Sequence, residues 1–254
     1  MADHVHLEIG DGLARITIDR PPLNVLTIAM LDALADALAR AAATDSVRLV
    51  RLGAAGKAFS AGVDVQDHIG DKVDTMMAAL ARLFDTLERV PMPTVAVVHG
   101  AALGGGCELA LGTDLCVAAD AASFGQPEIR LGLFAPPASV ILPRIVGERR
   151  ALGLLLTGAT LEASEAERIG LVNRVFPADG FESEVEAWLA GLLAYSGAAL
   201  RLAKRAVREG RRGSESDARA RVDRLYLEEL MRTADADEGL RPFVEKRPPV
   251  WIHK

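Results

Sequence analysis

Two cysteines, Cys107 and Cys116, are all that the 254 residues contain. That excludes a disulfide framework as the main source of stability and points to a reducing compartment, the cytoplasm being the expectation. No histidine pair stands beside them, so they do not form a zinc set, and no metal is expected. Aromatic residues are scarce, 4% in a chain that is 50% hydrophobic, so the core must be aliphatic and alanine-rich. An excess of positive charge is also lacking. Lys and Arg number 29 against 35 Asp and Glu, a net charge of -6, which argues against a nucleic-acid partner. No run approaches the ~20 apolar residues of a membrane span, so no membrane partner is expected. The opening MADHVHLEIGDG has no basic segment followed by an apolar run, and hence no visible secretory signal.

What is present alternates in type. Residues 5–9 and 13–18 flank Gly10-Asp11-Gly12 and predict a β-hairpin. Met30, Leu31, Leu34 and Leu38 fall at helical spacing within a predicted helix over 28–43. Residues 47–52 predict a strand, 58–65 a small-residue loop around Gly62, and 72–90 a second helix. After Pro91 and Pro93, residues 94–98 predict a buried strand. Gly104-Gly105-Gly106 then opens a helix reaching Leu111. Strands follow at 114–118 and 123–124. A helix is predicted over 143–156 with Gly158 past its end. Ser164-Glu165-Ala166-Glu167 predicts a capping box closed by Gly170, before a strand over 171–175. From Phe181 onward every periodic segment is helical, including a basic one over 198–208. The order predicts an α/β core over 1–180 with mostly parallel sheets, and a helical layer over 181–254.

Two stretches share a physical signature. Ser60-Ala61-Gly62-Val63 and Leu103-Gly104-Gly105-Gly106-Cys107 each place small residues after a predicted strand, where free N–H groups can face an anion. Together they would form an oxyanion hole. Alone, either serves equally well as a tight turn. Glu108 interrupts an apolar run, and Glu128 follows Phe124-Gly125-Gln126-Pro127. Each reads either as a first-turn glutamate balancing a helix dipole or as half of a carboxylate pair moving protons. Lys57 reads as a solvated turn residue and the basic helix as a solvated face. Ser60 has no histidine at a nucleophile's spacing. The five histidines (His4, His6, His68, His99 and His253) are scattered and read as structural or surface residues.

With those residues named, the chain resembles the crotonase, or enoyl-CoA hydratase/isomerase, superfamily almost end to end. The matching segments are Arg20-Pro21-Pro22-Leu23-Asn24-Val25-Leu26, residues 56–65, 102–110, 124–129, 155–158 and 166–173, and Phe243-Val244-Glu245-Lys246-Arg247. The resemblance implies a spiral of β-β-α turns with a helical C-terminal region, assembled as trimers or paired trimers. It implies an acyl-CoA substrate with no separate cofactor, and a thioester oxygen held by the N–H groups of Val63 and Gly105. Lys57, Ala58, Ala61 and Val65 would hold coenzyme A, and Phe243 or Lys246 would touch that of a neighbouring subunit. Met76, Met77, Leu80 and Phe84 would wall the acyl pocket, with Phe134 and Pro136 assigned to the same wall.

Both glutamates typical of the hydratases of that superfamily are present, at the hydratases' spacing, so a hydro-lyase is expected. One carboxylate would activate water and the other would protonate the α-carbon. One departure stands out. Ala135-Pro136-Pro137-Ala138-Ser139 occupies the region where hydratases of short enoyl-CoA read Pro-Gly-x-Gly-Gly. Proline has no N–H, so Pro136 cannot supply the backbone donor a glycine could. Residues 131–137, with Val63-Asp64-Val65-Gln66-Asp67-His68, look most like the cyclohexa-1,5-diene-1-carbonyl-CoA hydratases. Isomerisation, thioester hydrolysis and a non-catalytic binding role are the alternatives.

Overall fold

The computed structural model describes residues 4–253. Strands β1 (Val5–Gly10) and β2 (Leu13–Ile18) pair antiparallel with Gly10 opposite Leu13. The turn is therefore Asp11-Gly12, at φ 52° and 82°, the two-residue geometry that suits a twisted hairpin. Helix α1 (Ile28–Ala42) starts at Thr27, whose hydroxyl accepts from Met30 N–H. β3 (Leu49–Ala54) begins two residues later than expected, because Val47 N–H is spent on the Thr44 carbonyl in the preceding turn.

The chain then repeats one unit. A strand of a long sheet is followed by a short strand of a second sheet, then by helix. The first unit is β3, β4 (Ala58–Ser60) and α2 (Lys72–Arg89). The second is β5 (Thr94–Val98), β6 (Ala101–Leu103) and α3 (Gly105–Leu111). The third is β7 (Leu115–Ala119), β8 (Ser123–Gly125), α4 (Pro136–Val146) and α5 (Glu148–Thr157). β9 (Thr160–Glu162), α6 (Ala163–Arg168) and β10 (Arg174–Phe176) close the series. One sheet runs β1-β2-β3-β5-β7-β10 and the other β4-β6-β8-β9. Every pairing is parallel except β1 with β2 and β8 with β9. These are the β-β-α turns that the resemblance implies.

β5 shows why its sequence after Thr94 is unbroken Val and Ala. Ala96 and Val98 enter the main core with α1, α2 and α3, while Val95 and Val97 join a second core. That second core includes Phe181, Val185 and Leu189 of α7 (Phe181–Leu193). Successive strand side chains face opposite ways, so a sheet covered on both faces has no polar side. α8 (Gly197–Gly210), α9 (Glu215–Arg224) and α10 (Ala234–Glu245) follow. The basic helix α8 is not simply a solvated face. Lys204, 7% exposed at its side chain, reaches Asp114 at 2.6 Å and the Met92 carbonyl at 2.8 Å. Arg208 adds a second contact to Asp114 at 3.2 Å.

The helix expected over 143–156 is two helices. Pro136 and Pro137 fill the first turn of α4, Pro143 lies inside it, and Gly147 separates it from α5. Gly158 does end α5. The expected capping box is not formed, since Glu162 stands at the N-cap of α6 and makes no side-chain cap bond. The loop expected over 58–65 contains β4. β6 and β9 are likewise absent from the expected strands, because three residues are too few to display a period. Among the described residues no helix is long and apolar enough to cross a membrane.

Candidate active site

β4 and β6 are parallel neighbours, with Ala58 opposite Ala101, so the segments leaving them arrive side by side. After β4, Leu26 N–H donates to the Gly62 carbonyl and Asp64 N–H to the Leu26 carbonyl, both at 2.8 Å. This parallel bridge turns the N–H of the intervening Val63 away from Leu26. Gly105 stands on the free side, where a Cβ on it would lie 3.2 Å from Val63 N. Gly105 is also the first residue of α3, whose opening N–H groups have no intrahelical carbonyl to meet. Gly104 before it sits at φ 53° and ψ -128°, open in practice only to glycine, and a Cβ there would lie 2.6 Å from Glu128 Oε1. Two backbone donors and one carboxylate thus converge because Gly104 and Gly105 carry no side chain in the way.

Glu108 lies in the first turn of α3 and is 3% exposed. Its Oε1 accepts from Ala138 N–H at 3.0 Å. Pro136 and Pro137 have no N–H to give, so Ala138 offers the first donor of α4, and Glu108 takes it. The Glu108 carboxyl is pushed up to about 8, chiefly by burial, with the Ala138 bond pulling it down and the charge of Glu128 adding to the rise. The Glu128 carboxyl is also raised by burial, against the pull of its own N–H and of His68. Its Oε2 is buried without a hydrogen-bond partner. Both carboxyls thus hold a proton more tightly than a free glutamate does, and two carboxylates facing one space do not ionise independently.

That proton has a consequence for stability. A glutamate of ordinary affinity titrates near 4.5, whereas folded Glu108 keeps its proton to about 8. The folded state binds more protons than the unfolded one between those values. Stability from this group is complete below the lower value and is lost as pH rises through the upper one, at up to about 1.4 kcal/mol per pH unit. Glu108→Gln keeps an acceptor for Ala138 and removes the titration. Its thermal midpoint is expected to gain on the wild type as the buffer moves from about pH 5 to about pH 9. Parallel melting curves across that range would mean that Glu108 is ionised throughout.

Both glutamates line one cavity of about 350 Å³. The structure brings Ala61, Val63, Val65, Met76, Met77, Leu80, Gly105, Phe134 and Pro136 to the same cavity. It does not bring Phe84, which packs against the core and beside Gly112. Lys57 is exposed on the turn before β4, and Ala58 is buried within it. Phe243 is 85% exposed on α10, and Lys246 follows that helix in a left-handed conformation at φ 57°. Neither lines the cavity. His68, Val73, Leu131 and Leu133 do, although none of them is among the expected site residues. A usable signal exists for the leucines, since they lie between Glu128 and Pro136. Among the described residues no group of three His, Cys, Asp or Glu could hold a metal ion. Both cysteines are free and buried, and burial pushes the thiols up, that of Cys116 to about 12.

An enoyl-CoA hydratase/isomerase family profile matches residues 8–254. The chain is similar to the cyclohexa-1,5-dienecarbonyl-CoA hydratase of Thauera aromatica, with 39% identity covering 98% of this chain and 96% of that one. It is nearly as similar to a protein named a probable enoyl-CoA hydratase in Mycobacterium tuberculosis (strain CDC 1551 / Oshkosh), with 38% identity over 94% of each. Among solved structures, an enoyl-CoA hydratase of Geobacillus kaustophilus HTA426 superposes with a TM-score of 0.95. It is 29% identical and covers 100% of this chain and 98% of that chain.

Proposed function

Because the chain belongs to the enoyl-CoA hydratase/isomerase family, we propose that it adds water across a carbon–carbon double bond conjugated to an acyl-CoA thioester. We further propose that its substrate is a cyclic dienoyl-CoA, of the cyclohexa-1,5-diene-1-carbonyl type. The observation that carries the chemistry is the presence of Glu108 and Glu128 in one apolar cavity beside the N–H groups of Val63 and Gly105. The thioester oxygen accepts from the two N–H groups, which draws electrons from the conjugated alkene. The ionised carboxylate of the pair takes a proton from water as the water oxygen attacks carbon. The resulting enolate is held by the same two donors, whose geometry is set before the charge appears. The protonated carboxylate then delivers its proton to carbon. An allylic shift could use one base, so a two-carboxylate site favours hydration over isomerisation.

Size and wall chemistry support the acyl assignment. About 350 Å³ lies at the small end of ligand cavities, which suits a compact acyl group better than a long chain. Phe134, Leu131 and Pro136 offer broad apolar surfaces to a flat ring. Identities of 39% and 38% to differently named relatives do not separate a cyclic from a linear substrate. Turnover in H₂¹⁸O does. Cyclohexa-1,5-diene-1-carbonyl-CoA is expected to gain labelled oxygen much faster than crotonyl-CoA, with products read by mass spectrometry. Faster labelling of crotonyl-CoA would return the enzyme to linear substrates, and labelling of neither would remove hydration.

A further inference from the structure

Among the described residues, three side chains lining the cavity carry strong hydrogen-bonding groups: Glu108, Glu128 and His68. The carboxylates have roles in the chemistry above, whereas His68 has none. It ends a single 3-10 turn, Val65–His68, directly after Val63 and Asp64. That turn is tied down on several sides. The Asp64 carboxylate accepts from Gln66 N–H at 3.0 Å. Buried Asp67 accepts from Ile28 N–H at 3.2 Å and meets Lys72 Nζ at 3.3 Å. The imidazole is oriented as well, because His68 Nδ1 lies 3.0 Å from the Asp64 carbonyl oxygen. A carbonyl only accepts, so Nδ1 carries the hydrogen, and in the neutral ring Nε2 is left as a lone-pair acceptor.

The wall formed by the start of α4 offers little to a water molecule. α4 opens with two prolines, and its first N–H is already given to Glu108. An ordered water in an otherwise apolar space needs two to four polar partners. We propose that His68 Nε2 is the second hydrogen-bond acceptor for the water that is added, an assignment that rests on the hydration chemistry above. One water proton goes to the ionised carboxylate. The water oxygen forms the new C–O bond, and the alkene electron pair moves onto the thioester as the enolate. The other water hydrogen stays on its oxygen throughout, held by Nε2, so the product hydroxyl ends on the imidazole. The second carboxylate returns a proton to carbon, and His68 itself neither gains nor loses one.

The test pairs the rate of hydration with binding of a substrate-like thioester that needs no water. His68→Phe and His68→Gln are compared with the wild type for kcat with whichever of the two enoyl-CoA substrates the wild type labels from H₂¹⁸O. The same proteins are titrated with the corresponding saturated acyl-CoA, butyryl-CoA or cyclohexanecarbonyl-CoA. His68→Phe is expected to lose about tenfold in kcat, the effect of one lost hydrogen bond in a buried site, with Kd for the saturated thioester within about twofold. Gln, whose amide oxygen can stand near the former Nε2, is expected to recover most of the rate. A Phe variant with wild-type kcat would overturn the proposal. So would kcat and Kd failing together without rescue by Gln, which is the pattern of a structural residue. A wild type that binds the saturated thioester but labels neither enoyl-CoA would instead defeat the hydration reading, and the role of His68 with it.

Discussion

Glu108→Gln and Glu128→Gln are each expected to lower kcat for hydration by about 10²–10⁴-fold, the range set by losing a positioned acid or base. Affinity for the acyl-CoA should change little, because the donors proposed for the thioester oxygen are backbone N–H groups that neither substitution touches. The amide is nearly the shape of the acid, and at position 108 it retains an oxygen for Ala138 N–H. The fold therefore has no reason to relax. The two variants should also be grossly non-additive, since removing either carboxylate leaves the other without its complement in the proton cycle. The measurement is kcat and Kd for each single variant and the double. A single variant near the wild-type rate would take that glutamate out of the chemistry. A double variant losing the product of the two single effects would show that the carboxylates act independently.

Gly105→Ala is the second large effect. A Cβ at this position would stand 2.6 Å from Val63 Cγ2 and 3.2 Å from Val63 N. Real Cβ atoms do not approach within 3.0 Å, so the Val63 side chain must shift, and the tight approach to Val63 N presses on the donor itself. The expected loss is about 10²–10³-fold in kcat, comparable with removing one donor from an oxyanion hole. Gly153→Ala is the matching control. It lies within α5, where a Cβ meets nothing within 4 Å, and should keep the wild-type rate while gaining slightly in thermal midpoint from better helix propensity. If Gly105→Ala hydrates as fast as Gly153→Ala, Val63 and Gly105 do not hold the enolate.

Much of this arrangement is legible in the sequence, for physical reasons. α1 and α2 carry apolar residues at helical spacing over 15 and 18 residues, long enough for the period to declare itself. β5 is read from an unbroken apolar run, which is what a strand covered on both faces must show. β4, β6 and β9 escape because three residues carry no period. The misplaced helix has a different cause. Proline at a helix start is a sound rule applied to the wrong proline, Pro143 instead of Pro136 and Pro137, and Gly147 is the break that the rule passes over. Glu108 stands out because charge is out of place in a run such as Cys107-Glu108-Leu109, and Glu128 through the resemblance of residues 124–129 to the hydratases. His68 does not, because nothing near it in the sequence marks a lone histidine as facing a carboxylate pair. Its place in the cavity depends on Glu108 and Glu128, brought to it by later turns of the spiral.

The bond from Ala138 N–H to Glu108 joins two properties usually discussed apart. α4 begins at the edge of the cavity proposed for the acyl group, and its first donor is given to a carboxyl proposed to take part in proton transfer. Widening the space by changing residues 136–138 shifts the donor, and with it the acidity of Glu108. Acyl preference and proton supply are therefore not independent traits in this chain. A lineage or an engineer moving toward a new acyl group has to travel along both axes at once, and variants that merely enlarge the cavity will carry an altered pH optimum as a companion phenotype.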